Sequence, residues 1–202
     1  YNNQKGYNMN NEKFKRADYW IYPNILDDET IERIMKIGDT DQWLDAAVAV
    51  ESNHEIRKTE LAWSNEQWLY DTFWSLMEMA NKNAGWNFEI SAAESFTLGK
   101  YEDGGHYKFH LDGNGVQPLN YPGNEFLHGK TRKISFVAWL NEDFEGGEFE
   151  FHPSTVPAEN GFIKPTKGTV IFFPSWYLHK VHPVTKGTRY ALITWFNGWP
   201  VK

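Results

Sequence analysis

Phe172-Phe173-Pro174-Ser175-Trp176-Tyr177-Leu178-His179-Lys180-Val181-His182-Pro183-Val184-Thr185-Lys186-Gly187-Thr188-Arg189 decides the fold. Aromatic and β-branched residues fill it, and Thr185-Lys186-Gly187 is a tight turn signal between two strand-like runs. The reading predicts strands over 177–184 and 189–199, with two histidines on the first and Arg189 at the head of the second. Working back from there, the same short runs recur at 94–101, 107–111, 133–140, 148–152 and 169–173, separated by Gly, Pro and Asn/Asp turns such as Glu145-Gly146-Gly147. Many short strands at this spacing predict a two-sheet roll or barrel.

Before residue 91 the period is helical. Leu26-Asp27-Asp28-Glu29-Thr30-Ile31-Glu32-Arg33-Ile34-Met35 reads as an amphipathic helix with an acidic start, closed by Gly38. A longer helix follows, with Ser64 and Gln67 spaced as a capping box, Trp68, Thr72, Leu76 and Ala80 on one face, and Gly85 at its end. The first twenty residues are polar up to Tyr19-Trp20-Ile21-Tyr22, which predicts a loose arm leading into a strand or docking segment. The organisation expected is one catalytic domain over 1–202, with the arm and supporting helices in 1–90 and a β core in 91–202. The Gly/Asn/Pro-rich stretch 113–130 is expected to lie over a site.

Composition narrows the chemistry. The chain has no cysteine, so a transition metal must be held by His and carboxylate. A net charge of -7 argues against general nucleic-acid binding. No apolar run reaches the length of a membrane span and Tyr1-Asn2-Asn3-Gln4-Lys5 opens no signal peptide, so a cytoplasmic, non-membrane protein is the expectation, with oligomeric state left open.

His110-Leu111-Asp112 falls at the end of a predicted strand, where residues two apart share a face and both side chains can reach one ion. Joined by one remote histidine, they make a two-histidine, one-carboxylate set that leaves open positions on Fe(II). His179 and His182 compete for that third place. Simple hairpin counting pairs Val184 with Arg189 and so puts His182 on the Arg189 face; a bulge or a break at Pro183 reverses the phase in favour of His179. Arg189 suits a dicarboxylate, because guanidinium grips one carboxylate as a fork while the other end chelates metal.

At these residues the sequence resembles the 2-oxoglutarate/Fe(II) oxygenases of the prolyl 4-hydroxylase type. The resemblance covers about residues 91–199 in four ordered blocks: 101–112, 132–141, Phe144-Glu145-Gly146-Gly147-Glu148-Phe149, and the Leu178-His179 to Arg189 segment. It implies a mainly β, α+β protein whose core is a double-stranded β-helix, or jelly roll, supported by the N-terminal helices. It implies that His110, Asp112 and His179 hold iron, that Arg189 and Tyr101 hold the distal carboxylate of 2-oxoglutarate, and that Trp195 contacts substrate. Tyr107, on the strand of His110, is a further candidate for substrate contact. The implied reaction consumes O2 and 2-oxoglutarate, with ascorbate as a supporting reductant, and hydroxylates an unactivated C–H bond, foremost a prolyl residue of a peptide or protein, with a free amino acid or another side chain as the alternative. The collagen-type enzymes usually carry Lys where this chain has Arg189, a departure towards the bacterial and oxygen-sensing branches.

Two other classes compete. A zinc hydrolase suits the same ligands but not Arg189, and no His-Glu-x-x-His base is present. A non-enzymatic jelly-roll binding module needs no intact metal set. His54, His106, His128 and His152 read as surface or hydrogen-bonding residues, and Trp63, Trp68 and Trp74 as packing residues on or near the helix.

Overall fold

The computed structural model describes residues 16–39, 43–46 and 54–200, so most of the expected N-terminal arm lies outside the described residues. Among the described residues the strands, in chain order, are β1 Trp20–Tyr22, β2 Leu44–Asp45, β3 Arg57–Lys58, β4 Glu60–Ser64, β5 Ala92–Ala93, β6 Phe96–Tyr101, β7 His106–His110, β8 Thr131–Trp139, β9 Glu145–Gly146, β10 Phe149–Phe151, β11 Phe162–Ile163, β12 Val170–Pro174, β13 His179–Val181, β14 Val184–Lys186 and β15 Arg189–Gly198. Helix α1 spans Asp28–Met35 and α2 spans Gln67–Asn83. The larger antiparallel sheet runs β1-β12-β8-β15-β6-β4-β2, with β5 on the far end of β15, and the smaller runs β11-β10-β13-β7-β3. The two sheets and the few helices make the expected jelly-roll architecture.

Residue parity explains how three layers form. Along β8, Ile134, Phe136 and Ala138 point to the helices and join Leu69, Phe73, Met77 and Ala80 of α2 in one apolar cluster. Their neighbours Val137 and Trp139 point the other way and meet Phe149, Phe151 and Val181 of the smaller sheet. β12 repeats the division, with Val170 and Phe172 towards the helices and Ile171 and Phe173 between the sheets. A sheet covered on both faces needs near-continuous apolar strands, which is why 133–140 carries no polar alternation beyond Lys133 and Ser135. Each buried phenylalanine of this kind contributes about 1.5–3 kcal/mol.

The helix starts differ from expectation in one case. Asp27 caps α1, accepting from the Thr30 N–H at 2.8 Å. The capping box read at Ser64 and Gln67 does not form: Ser64 ends β4, paired with Phe96, and α2 begins after Glu66 without a side-chain cap. The ladder with β6 claims the Ser64 backbone, so the tertiary pairing overrides the local signal. The buried face of α2 is Leu69, Phe73, Met77 and Ala80, one position round from the stripe read off the sequence.

The C-terminal stretch also differs. The strand expected over 177–184 is two strands, broken at His182-Pro183, and β14 pairs with β9 rather than with β15. Val184 therefore sits opposite Gly146, while Arg189 sits opposite Tyr101. The hairpin assumed in simple counting is absent, and the parity argument that favoured His182 falls with it. No helix among the described residues is long and apolar enough to cross a membrane.

Candidate metal centre

His110 ends β7 and His179 begins β13, and the two pair directly across the smaller sheet. Between that pair and the next, Val181 with Tyr107, β7 advances three residues while β13 advances two. This bulge turns Tyr107 and His110 to the same side, where their rings stack with centroids 3.4 Å apart and 13° between planes. Asp112 lies beyond the end of β7 rather than on a continuing strand. Its N–H and that of Gly113 both donate to the Ser175 carbonyl at 3.0 Å, which pins the turn that delivers the carboxylate.

The three ligand-type groups converge, with one donor atom from each lying within 4.8 Å of the others. His110 Nε2 is 3.6 Å from Asp112 Oδ1, and His179 Nε2 is 3.6 Å from Asp112 Oδ2. The other ring nitrogen of each histidine faces a backbone carbonyl: His110 Nδ1 is 2.8 Å from Lys108 O, and His179 Nδ1 is 2.8 Å from Tyr177 O. A carbonyl only accepts, so each Nδ1 carries the proton and each Nε2 presents a lone pair to the cluster. Burial pushes His179 down to about 4, with Asp112 pulling partly back, so its imidazole is a neutral ligand at neutral pH. Burial acts to raise the Asp112 pKa, but His179, His110 and Arg132 outweigh it and hold the carboxyl well below the usual range. Ser135 Oγ donates to Asp112 Oδ2 at 2.6 Å and lies 3.0 Å from Ser175 Oγ. Two imidazoles and one ionised carboxylate on one side of an open cavity fit a single Fe(II) with free positions.

His182 is elsewhere. Its Nε2 lies 2.6 Å from Glu150 Oε2, in an ion cluster shared with Lys180. Of the other histidines, His106 meets the carbonyls of Gly104 and Glu55, His152 meets Ser154, and His54 meets Asp45.

A cavity of about 380 Å³ opens beside the cluster, lined by Tyr101, Tyr107, Arg189 and Trp195 as well as the three ligand-type residues. Arg189 is 1% exposed, its Nε has no hydrogen-bond partner, and its Cζ lies 4.9 Å from the centroid of the Tyr101 ring. A buried guanidinium left without an anion fits a cavity that takes a carboxylate. Gly147, at φ +67°, passes so close that an added Cβ would lie 2.8 Å from Arg189 Cδ. Of the stretch 113–130, Tyr121 lines the cavity.

Several cavity residues escaped the sequence reading. Arg132 makes two 2.6 Å hydrogen bonds to Glu94, stacks 3.6 Å over the Trp195 ring and donates to the Asp112 carbonyl at 3.1 Å. Ser135 had a signal, since it is a small polar residue on the inward phase of an apolar strand. Trp63, expected to pack on or near the helix, belongs to β4 and lines the cavity, because the strand replaces the expected helix start. Arg57, on a two-residue strand, gave no signal at all.

The fold and the cluster together define a class: jelly-roll proteins with a two-histidine, one-carboxylate set facing a cavity. The chain belongs to the 2OG-Fe(II) oxygenase superfamily, which it matches over residues 96–197. The family implies Fe(II) and 2-oxoglutarate, and the donor set found here suits both. Among curated proteins it is 34% identical over 101 residues to a PKHD-type hydroxylase of Idiomarina loihiensis, a match covering 49% of this chain and 40% of that protein. It is 28% identical over 193 residues to a PKHD-type hydroxylase of Picosynechococcus sp., covering 90% of this chain and 78% of the relative. In fold it is similar to the crystal structure of a Pseudomonas putida prolyl-4-hydroxylase, with a TM-score of 0.69, 18% identity, and coverage of 90% of this chain and 94% of that one. It is likewise similar to a Trichoplax adhaerens prolyl hydroxylase in complex with a hypoxia inducible factor peptide fragment, with a TM-score of 0.67, 21% identity, and coverage of 89% and 83%.

Proposed function

We propose that this chain hydroxylates an unactivated C–H bond of a prolyl residue in a peptide or protein, consuming O2 and 2-oxoglutarate and releasing succinate and CO2. The observation that carries the reading is the cluster of His110, Asp112 and His179 in one cavity with the buried Arg189, whose Nε has no hydrogen-bond partner. Bound Fe(II), with its cosubstrates, supplies the oxidising chemistry, which no side chain of the protein can supply.

The residues have separate tasks. His110, Asp112 and His179 hold the metal through Nε2, a carboxylate oxygen and Nε2, with the tautomers fixed by the carbonyls of Lys108 and Tyr177. Arg189 and Tyr101 take the distal carboxylate of 2-oxoglutarate, being opposite one another on β15 and β6. Trp195 and Tyr107 line the same cavity; Arg132 covers one face of the Trp195 ring and Tyr107 lies between His110 and Arg57, so a pyrrolidine ring packs on the open face of Trp195 and against the edge of Tyr107. The prolyl substrate is supported by the relatives' names: the Pseudomonas putida protein is a prolyl-4-hydroxylase, and the Trichoplax adhaerens enzyme is bound to a peptide.

Anaerobic addition of Fe(II) and 2-oxoglutarate should produce a visible metal-to-ligand charge-transfer band. Admission of air with ascorbate and proline-containing peptides should then yield succinate and hydroxylated peptide. No band and no succinate would overturn the oxygenase reading, while succinate without peptide hydroxylation would overturn the prolyl substrate. For the third ligand, His179→Ala should lose the band and His182→Ala should keep it; the reverse would transfer the role to His182.

A further inference from the structure

Three arginines line the cavity, and their partners differ. Arg132 is committed to Glu94 by two hydrogen bonds. Arg189 lies over Tyr101 on the larger sheet. Arg57 enters from the other side, on β3 at the edge of the smaller sheet, directly opposite Tyr107. It is 6% exposed, its Nε has no hydrogen-bond partner, and among the described residues its guanidinium forms no ion pair. Among the described residues its guanidinium lies over the Tyr107 ring, with Cζ 4.6 Å from the centroid.

A guanidinium whose Nε is buried without a hydrogen bond is costly, since a cation–π contact offsets a small part of the desolvation. Among the described residues the carboxylates of the cavity do not pair with it: Glu94 is held by Arg132, and Asp112 accepts from Ser135 beside the two imidazoles. The cosubstrate does not require it either. The metal and Arg189 already account for both carboxylates of 2-oxoglutarate in the reading above, on which this inference rests. A third anion position is therefore left on the substrate side. With one face covered by Tyr107, the guanidinium has its in-plane N–H edges left to offer, and a planar carboxylate matches that edge as a two-bond fork. The Tyr107 ring stacks in turn on His110, so a single aromatic layer separates Arg57 from a member of the metal cluster.

We propose that Arg57 is a specificity-determining residue that binds a carboxylate of the primary substrate, so that the target residue carries an acidic group close to the carbon that is hydroxylated. The carboxylate has two sources, the main-chain terminus of a free or C-terminal proline and the side chain of a neighbouring Asp or Glu. Both present the same fork-shaped acceptor.

The test is equilibrium binding to the anaerobic chain loaded with Fe(II) and 2-oxoglutarate, using Ala-Ala-Pro, its C-terminal amide, free L-proline, and amidated, N-acetylated peptides with Glu or Gln beside an internal proline. A carboxylate form should bind about 10- to 100-fold more tightly than its neutral counterpart, the size expected for a charge-assisted pair. Preference for the acid Ala-Ala-Pro and L-proline assigns the main-chain source, and preference for the Glu peptide assigns the side-chain source. Arg57→Met should erase the preference and Arg57→Lys should restore part of it. Equal binding of charged and neutral forms to the wild-type chain, with the charge-transfer band present, overturns the proposal and leaves the oxygenase reading intact. Weakened 2-oxoglutarate binding in Arg57→Met, with the substrate preference retained, also overturns it. Absence of the band in the wild type overturns both. If Arg57→Met fails to fold, the wild-type comparison and Arg57→Lys decide.

Discussion

The larger sheet shows two faces made by the same strands. Towards the helices, β8, β12 and β15 present Phe136, Phe172 and Phe196, all with 0% exposure, packed against α2. Towards the smaller sheet, alternate residues of β8 and β15 present Ser135, Arg189 and Trp195, of which the last two line the cavity and the first holds Asp112. One face spends its residues on burial alone; the other leaves buried nitrogens of Arg189 and Trp195 without partners. Stability and site chemistry are therefore separated by strand parity, one residue apart, and substitutions on the two faces should separate in the same way.

Asp112→Ala should break function most completely, with loss of iron binding and of the charge-transfer band. Its cost in stability should stay below that of the core substitution that follows, so that the chain remains folded. The reason is that His179, pushed down to about 4, is neutral and leaves no orphan cation when the carboxylate goes. Phe136→Ala should do the opposite. Its ring contacts Phe73, Phe96 and Phe172, and its removal should cost about 3–5 kcal/mol in urea unfolding, while the folded fraction keeps its iron affinity. Global unfolding of Asp112→Ala, or loss of metal affinity in folded Phe136→Ala, would break the division.

Ser135→Ala probes the boundary, because Ser135 sits between Ile134 and Phe136 on the same strand but serves the cavity. It removes the 2.6 Å donor to Asp112 Oδ2 and the 3.0 Å contact to Ser175. Outer partners of metal ligands typically carry about 10- to 100-fold in metal affinity, and a loss of that size is expected in an iron titration. Ser135→Thr, which keeps the hydroxyl, should recover most of it. Equal losses in both variants would show a packing effect instead.

The helix-facing side was legible in the sequence because burial repeats with a period, and a period survives without knowledge of partners. The runs at 133–140 and 169–173 fall on β8 and β12 within a residue or two. The cavity side was legible only where a residue type announces itself. His110, Asp112, His179 and Arg189 stood out by chemistry and by ordered motifs. Arg57 did not, since it reaches the cavity through a two-residue edge pairing with Tyr107 that no local pattern encodes. Nor did the bulge that swings Tyr107 and His110 to one side, because a count of alternation assumes an unbroken ladder. The Ser64 reading failed for a related reason: a good local cap lost to a long-range ladder with Phe96.

The smallest expected effect is at Gly147, in the turn between β9 and β10, where the backbone of one region sets the side chain of another. Two costs arise from Gly147→Ala. The residue has φ +67°, which for an L side chain costs about 1–2 kcal/mol. The new Cβ would also lie 2.8 Å from Arg189 Cδ and 3.1 Å from Phe144 Cε2, and Arg189, buried to 1% exposure, has little room to retreat. On the role proposed for Arg189, a displaced guanidinium weakens the grip on a distal carboxylate without touching His110, Asp112 or His179. Titrations should therefore show a several-fold weaker 2-oxoglutarate affinity with iron affinity retained. A fall in iron affinity of the same size would mean that the turn supports the whole site, and that Arg189 is not independently set by it.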